Sequence, residues 1–309
     1  MSVFFSTSEL PVFRNPVLTI GSFDGVHAGH KAILQKIVSA AREANGESIV
    51  ITFEPHPRKI IQPDKPLGLL SSLEDKIAKI QAQGVDHIVV VPFSRDFSLL
   101  SAQDYVEQFL YQTFHPHTII IGYDHHFGHN REGNIDTLRQ LLPDSVRLIE
   151  IEEQLISDAH VSSTKIRNAV IEGDMALVST MLGLDYSIEA VVVHGNKIGR
   201  TIGYPTANLQ VTYPDILIPG IGIYAVRVAH KDKEYGGMMS IGKRPTVTDS
   251  GEVTLEVNIL DFNEDIYGEK LKVTFVAYIR GEEKFEGLEM LKAKIAEDEQ
   301  KIRAILGLN

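Results

Sequence analysis

The stretch Val17-Leu-Thr-Ile-Gly-Ser-Phe-Asp-Gly-Val-His-Ala-Gly-His30 decides the fold of the first half of this chain. Its four apolar residues read as a buried strand, glycines break it, and Ile33, Leu34, Ile37, Val38 and Ala41 then recur at a helical period. A strand that turns through glycine into an amphipathic helix over 29–42 leaves the first N–H groups of that helix, and the positive end of its dipole, open to an anion. Gly25 and Gly29 permit close backbone approach, and His27 and His30, three apart, direct imidazole N–H groups to one place. The layout is that of a nucleotide-phosphate site. It is not G-x-G-x-x-G, because histidines stand between the glycines, so hydride transfer is disfavoured.

Residues 21–30 resemble the adenylyltransferase signature H-x-G-H in the form G-x-F-D-G-x-H-x-G-H of prokaryotic FAD synthetases, with Gly21, Phe23, Asp24, Gly25 and Gly29 matching beside His27 and His30. Val161-Ser-Ser-Thr-Lys-Ile-Arg167 opens a helix with hydroxyls and is an anion site in its own right. It is similar to the S-S-T-x-x-R loop of the same enzymes, which closes on the triphosphate and implies roles for Ser162, Ser163, Thr164 and Arg167. Thr52-Phe-Glu-Pro-His-Pro57 resembles T-F-x-P-H-P, with Glu54 where Asp is commoner, and implies Phe53, Pro55 and His56 on the flavin side. Ile121-Gly-Tyr-Asp-His-His-Phe-Gly128 is similar to the flavin-side loop of the family and adds Asp124 and Phe127, with His126 where another side chain is common. Histidines 125, 126 and 129 sit in a loop beside Gly122 and Gly128, where the helical i, i+4 geometry of a chelating pair is not expected, so no zinc site is expected. For adenylyl transfer the attacking phosphate of FMN is already ionised, so no base is needed. His27, His30, Ser163 and Arg167 suit the charge that builds on the α-phosphate and pyrophosphate, together with Mg²⁺.

His194-Gly-Asn-Lys-Ile-Gly-Arg-Thr-Ile-Gly-Tyr-Pro-Thr-Ala-Asn208 is the second dense signal. Gly195, Gly199 and Gly203 allow a tight wrap around phosphates, and Thr206 and Asn208 place two neutral oxygens on one side of a short extended segment, as a hydrated Mg²⁺ requires. The whole resembles the riboflavin kinase signature G-x-x-x-G-R-x-x-G-F/Y-P-T-A-N, which brings in Arg200 and Pro205 as nucleotide-binding residues. Gly220–Tyr224 and Ser240–Thr246 are similar to further segments of that family, and Leu255–Asp261 carries Glu256 where these kinases have their base. A base is needed here, since a ribityl hydroxyl must lose a proton as it attacks the γ-phosphate. Arg280 is expected on the flavin side, and Asn258, where histidine is frequent, is given no role.

The length of 309 residues suits two domains, and 43% hydrophobic content is enough for two cores. Up to about residue 183 strand candidates (17–20, 48–53, 87–93, 118–121, 146–151) alternate with helices that start at Ser71–Glu74 and Ser101–Asp104, followed by helices at 163–172 and 174–182. Beyond Tyr186 come short runs at 187–193, 222–230, 234–241, 253–260 and 270–279, then a helix over 286–306 with an apolar face of Leu288, Leu291, Ile295, Ile302 and Ile305. The expected fold is α/β: a doubly wound, Rossmann-like nucleotidyltransferase domain over 1–184, and a small antiparallel β-barrel with a terminal helix over 185–309. A net charge of −11 without a Lys/Arg cluster argues against nucleic acid, and the absence of cysteine excludes disulfides and thiolate chemistry. No apolar run is long enough to span a bilayer, and the start lacks a signal-peptide pattern, so a cytoplasmic enzyme is expected; the sequence sets no oligomeric state. The resemblance over nearly the whole chain is to bifunctional bacterial riboflavin kinase/FAD synthetases, which implies riboflavin, FMN and ATP as substrates. The rivals are another H-x-G-H transferase, which leaves the second half unexplained, and a non-catalytic flavin sensor, which leaves Thr206, Asn208 and Glu256 without purpose.

Overall fold

The computed structural model describes residues 1–123, 125–151, 161–195, 203–243 and 253–308. They form two compact units, Met1–Ser163 and Thr164–Asn309. In the first, strands β1 (Ser2–Phe4), β2 (Val17–Ile20), β3 (Ser48–Glu54), β4 (His87–Pro92), β5 (Thr118–Gly122) and β6 (Arg147–Ile151) make one sheet in the order β1-β4-β3-β2-β5-β6. Every pairing is parallel. Alternate residues of the same strands feed two cores: Leu18, Ile49, Ile51, Val89 and Ile119 face one, and Val17, Val50, Ile88, Val90 and Ile120 face the other. Burial on both faces explains why these strands read as unbroken apolar runs. Strand β1 adds an edge strand that its three residues were too few to announce.

The order of the strands reverses around β2. From β2 the chain steps through β3 to β4, then returns to place β5 and β6 on the other side. Strand β2 pairs with β3 over four positions and with β5 over only two, Val17 with Thr118 and Leu18 with Ile119. At such a switch point the loops leaving the carboxyl ends diverge, and a crevice opens outside them. The helix Ala28–Glu43 begins at this reversal. Ser72 and Ser101 cap the helices expected from the sequence, accepting from the N–H groups of Asp75 and Asp104.

The second unit is a closed barrel of β7 (Tyr186–Val193), β8 (Ala207–Val211), β9 (Gly222–His230), β10 (Lys233–Lys243), β11 (Val253–Ile259) and β12 (Lys270–Arg280), in the order β10-β11-β8-β7-β12-β9 with β9 pairing back onto β10. The helix Leu288–Leu306 packs on β9, β10 and β12. Its inward stripe differs from the expected one. Ile302 and Leu306 are buried, whereas Leu288 is 54% and Ile305 45% exposed. The spacing explains this: residues 291, 295, 298, 302 and 306 recur every three or four, while Ile305 falls beside that line and Leu288 is the first residue of the helix.

The helices Ser163–Glu172 and Met175–Leu182 end at Gly173 and Gly183, both with left-handed φ of 80° and 70°. The second packs on β7 and β12. Gly220 N–H donates to the carbonyl of Val170, and the Tyr224 hydroxyl donates to Gly220 O at 2.6 Å. The compact units therefore divide some twenty residues before the boundary at 184/185 drawn from the change in sequence texture. A helical period shows that Met175, Val178, Met181 and Leu182 are buried without showing which core they cover. Among the described residues no helix is long and apolar enough to cross a membrane.

Candidate active sites

In the first unit the turn after β2 is wound tightly. Phe23, Gly25 and Val26 all have positive φ, of 49°, 80° and 45°. Two non-glycine residues in that region carry strain that the surroundings must hold. Asp24 supplies the restraint: its carboxylate, 3% exposed, accepts from the N–H of Leu70 at 2.9 and 3.1 Å, while Ser71 Oγ takes the N–H of Gly25 at 3.1 Å. Phe23 is inside the core as well. Both residues therefore shape the loop from within.

His27 is the N-cap of the helix Ala28–Glu43, its Nδ1 accepting the backbone N–H of His30 at 3.4 Å. That bond occupies one ring nitrogen, so a neutral His27 donates only through Nε2. The His27 and His30 rings stack at 3.7 Å. Nδ1 of His30 is buried and meets no hydrogen-bond partner among the described residues. Burial, and after it the neighbouring His27, hold the His30 imidazolium well below its ordinary pKa, so the ring is neutral near pH 7. Ser163, at the start of its helix, donates through Oγ to the carbonyl of Asp24 at 3.3 Å, which joins the hydroxyl loop to the histidine loop. Ser162 and Thr164 are exposed, and Arg167 is 9% exposed and falls in the second unit with Thr164.

The other motifs stand at the same carboxyl edge of the sheet. Strand β3 ends in a cis Glu54–Pro55 bond, and His56 caps the short helix Pro57–Ile61 by accepting the Arg58 N–H at 3.2 Å. Phe53 and Phe127 are both buried, Phe127 stacked on Tyr105 at 4.9 Å. Thr52 Oγ1 donates to the carbonyl of Ser22 at 3.2 Å. One contributor was missed in the sequence: Lys76, 5% exposed, donates to the carbonyl of Phe53 at 3.1 Å. Desolvation lowers its pKa against the opposing pull of Glu54 and Asp24. The available signal was a lysine on the apolar face of its helix, one turn before Ile80. Asp124 lies outside the described residues.

In the second unit register does the assembling. Glu256 on β11 pairs directly with Asn208 on β8, and Thr206 precedes Asn208 by two, so all three share one face. Thr206 Oγ1 donates to Glu256 Oε2 at 3.0 Å. A Cβ on Gly195 would fall within 2.5 Å of the Asn208 amide, so the absence of a side chain there is what seats Asn208. Asn258 donates to the carbonyl of Pro205 at 2.7 Å and fixes the loop that carries Thr206. Gly203 has a φ of 88°, whereas Gly199 and Arg200 lie outside the described residues, as do residues 244–246.

Two cavities meet at this cluster. One, of about 490 Å³, is lined by Pro205, Thr206, Phe262, Asn263, Asp265 and Tyr267, and the ring of His194 lies 4.1 Å from that of Tyr267. The other, of about 610 Å³, is lined by Thr206, Glu256, Met238, Leu291, Ile295 and Arg280 among others. Thr206 belongs to both. Arg280 donates through Nε to Asp298 at 2.8 Å and lies over Phe285 at 5.8 Å. Phe262, Tyr267 and Asp298 carried no motif, although Asp298 is a charge set in the apolar stripe of its helix.

The family model for FAD synthetase matches residues 11–165, and that for riboflavin kinase matches residues 182–306. Over 94% of this chain and 92% of the relative, the sequence is 38% identical to a bifunctional riboflavin kinase/FMN adenylyltransferase of Listeria monocytogenes. The Escherichia coli protein of that name is 36% identical over 94% of this chain and 93% of its own. A solved structure described as a macrolide-efflux protein from Streptococcus pneumoniae superposes with a TM-score of 0.85 at 30% identity and 98% coverage of both chains. By sequence over both halves, the chain belongs to the bifunctional riboflavin kinase/FMN adenylyltransferase family.

Proposed function

We propose that the His27/His30 turn is the adenylyl-transfer site and the Thr206–Asn208–Glu256 cluster the phosphoryl-transfer site of these two activities. The chain is a riboflavin kinase and an FMN adenylyltransferase, with ATP as co-substrate of both steps. The single observation that carries the kinase assignment is Thr206, which lines both cavities and bonds Glu256. A phosphate donor in the 490 Å³ cavity and a hydroxyl acceptor in the 610 Å³ one would meet at that residue. Glu256, on the acceptor side, takes the ribityl proton as the hydroxyl oxygen bonds the γ-phosphorus and the bond from that phosphorus to the β–γ bridging oxygen breaks to release ADP, and Thr206 orients the carboxylate. Phe262 and Tyr267 provide aromatic surface for a nucleobase, while Met238, Leu291 and Ile295 provide apolar wall for the flavin rings.

The donor set fits Mg²⁺, which takes oxygen ligands and is held through one or two protein groups plus phosphates and water. Thr206 Oγ1 and the Asn208 amide oxygen would hold it, and bound there it would neutralise charge developing on the phosphates. At the adenylyl site the chain's own work is electrostatic. The neutral His30, Nε2 of His27, the helix N-terminus and the hydroxyl of Ser163 offer donors for the α-phosphate and the departing pyrophosphate, with Arg167 assigned the same task. Phe53, Pro55, His56, Asp124 and Phe127 form the flavin side of that site in this reading. The functional boundary is placed at 184/185, and the cytoplasm, where both substrates and ATP are found, is the proposed location.

Glu256→Gln tests the assignment, because glutamine keeps the size of the side chain and cannot accept the proton. Riboflavin phosphorylation is expected to fall by roughly two to four orders of magnitude, with conversion of supplied FMN to FAD unchanged. Paired steady-state assays on the one variant decide it, and an unchanged kinase rate would remove Glu256 from the role of base.

A further inference from the structure

The two cavities of the barrel are walled in part by loops, and one side chain that lines neither cavity ties two of these loops together. Arg303, in the last turn of the helix Leu288–Leu306, donates through both terminal nitrogens to the carboxylate of Asp261, at 2.9 and 2.7 Å. Through Nε it donates to Glu299 at 2.9 Å, and Glu299 also accepts from the hydroxyl of Tyr204. Each carboxylate thus meets a different wall. Asp261 has a φ of 55°, in the left-handed region, and residues 262–267 that follow it line the 490 Å³ cavity. The far end of that wall is anchored as well, where Glu269 pairs with His230 and Lys231. Tyr204 lines the 610 Å³ cavity two residues before Thr206.

We infer that Arg303 is a positioning residue for phosphoryl transfer: from the terminal helix it fixes the turn that opens the nucleotide wall and the loop that presents Thr206. This rests on the reading of the 490 and 610 Å³ cavities as the nucleotide and flavin sides. Isolated surface ion pairs contribute little. A planar guanidinium that grips one carboxylate with two nitrogens and a second with its third is instead a network of set geometry, which an ammonium cannot reproduce. Since Arg303 acts through Asp261 and Glu299 and not on the reacting atoms, its contribution is to how ATP and riboflavin are held for the kinase step. Adenylyl transfer, whose motifs lie outside this network, does not draw on it.

The test uses the full-length chain, with riboflavin phosphorylation and the conversion of supplied FMN to FAD assayed on each variant. Arg303→Lys keeps the charge and loses the fork. Its kinase KM values for ATP and for riboflavin should each rise by about two- to ten-fold, the span of one hydrogen bond, while the ATP KM of FAD formation stays the same. Asp261→Asn is an exposed change that suits the left-handed backbone and removes only the nucleotide branch, so kinase KM for ATP should rise and that for riboflavin should not. The two substitutions together should raise ATP KM no further than Arg303→Lys alone, because they break the same pair of bonds, whereas independent structural damage would add. An unchanged ATP KM in Asp261→Asn overturns the proposal even if Arg303→Lys fails to fold. Phe262→Ala separates the two levels of the reading. If it raises kinase KM for ATP while Arg303→Lys and Asp261→Asn do not, the cavity holds the nucleotide and Arg303 does not position its wall. If Phe262→Ala leaves that KM unchanged as well, the nucleotide lies elsewhere and both readings fall.

Discussion

In the proposed reading the two sites handle phosphates with different parts of the protein. In the first unit the groups stand at strand ends and a helix N-terminus, and they are almost entirely donors: backbone N–H groups, two imidazoles and a hydroxyl. In the second they stand on the faces of paired strands and centre on a carboxylate, Glu256, opposite Asn208. The nucleophile explains the contrast. An FMN phosphate is ionised before it attacks, so a site for it needs only to receive charge, whereas a ribityl hydroxyl must surrender a proton and needs an acceptor beside it. A helix N-terminus disfavours cations and provides donors, which suits the first task; register across a barrel puts a chosen carboxylate next to a chosen hydroxyl, which suits the second.

The largest expected effect asks where one region stops. A fragment starting at residue 185 lacks Met175, Val178, Met181 and Leu182, which are buried in a helix that packs on β7 and β12. At about 1.5–3 kcal/mol for each side chain, as an upper estimate, the loss rivals the whole stability of a small domain. A fragment of residues 164–309 should fold and phosphorylate riboflavin, and one of 185–309 should melt far lower or precipitate. Equal melting temperatures by circular dichroism would show that these helices are dispensable to the barrel.

His30→Ala should lower FAD formation from FMN by roughly two to three orders of magnitude, the usual cost of removing a transition-state donor, while riboflavin phosphorylation persists. It is the mirror of Glu256→Gln, and a loss of both activities in a folded His30→Ala protein would break the separation of the sites. Gly195→Ala is milder. Its Cβ would displace the Asn208 amide, so the kinase should slow by about tenfold and demand more Mg²⁺, with adenylylation untouched. Titrating Mg²⁺ in both assays checks this, and an unaltered Mg²⁺ requirement would dissociate Asn208 from the metal.

The smallest effect concerns pH. The folded pKa of His30 lies below its ordinary value of 6.5, so between the two values the unfolded chain binds the extra proton. Its contribution is intact above about 6.5 and is lost as the pH falls toward the folded pKa, by at most ~1.4 kcal/mol per pH unit. Urea midpoints at pH 7.5 and 5.5 should therefore drop for the unaltered chain and drop less for His30→Asn. Adenylylation should not gain from acidification over that range, because the neutral ring is the resident form.

Much of the first candidate site could be proposed from the sequence because its residues are neighbours along the chain. Gly21 to His30 form one turn and one cap, and Ser163 opens its own helix, so adjacent residue types carried the chemistry. The contributions of Asp24 and Lys76 were not legible in the same way. Asp24, proposed on the nucleotide side, also ties the turn to Leu70, 46 residues away, through its carboxylate. Lys76 reaches the end of β3 from a helix 23 residues on. In the barrel the P-T-A-N segment could be read, yet that Glu256 faces Thr206 across 50 positions is a property of strand register.

By itself the sequence determined what short-range physics controls: buried parallel strands from unbroken apolar runs, capped helices from Ser72 and Ser101, left-handed helix ends at Gly173 and Gly183, and a tight glycine turn that leads into a helix capped by histidine. Tertiary structure alone decided the core to which the helices of residues 163–182 belong and the pairing that joins two cavities at Thr206. These depend on contacts between distant parts of the chain. Periodicity shows that a face must be buried, but which surface covers it is settled only when the whole chain packs and each buried polar group finds a partner or is left without one.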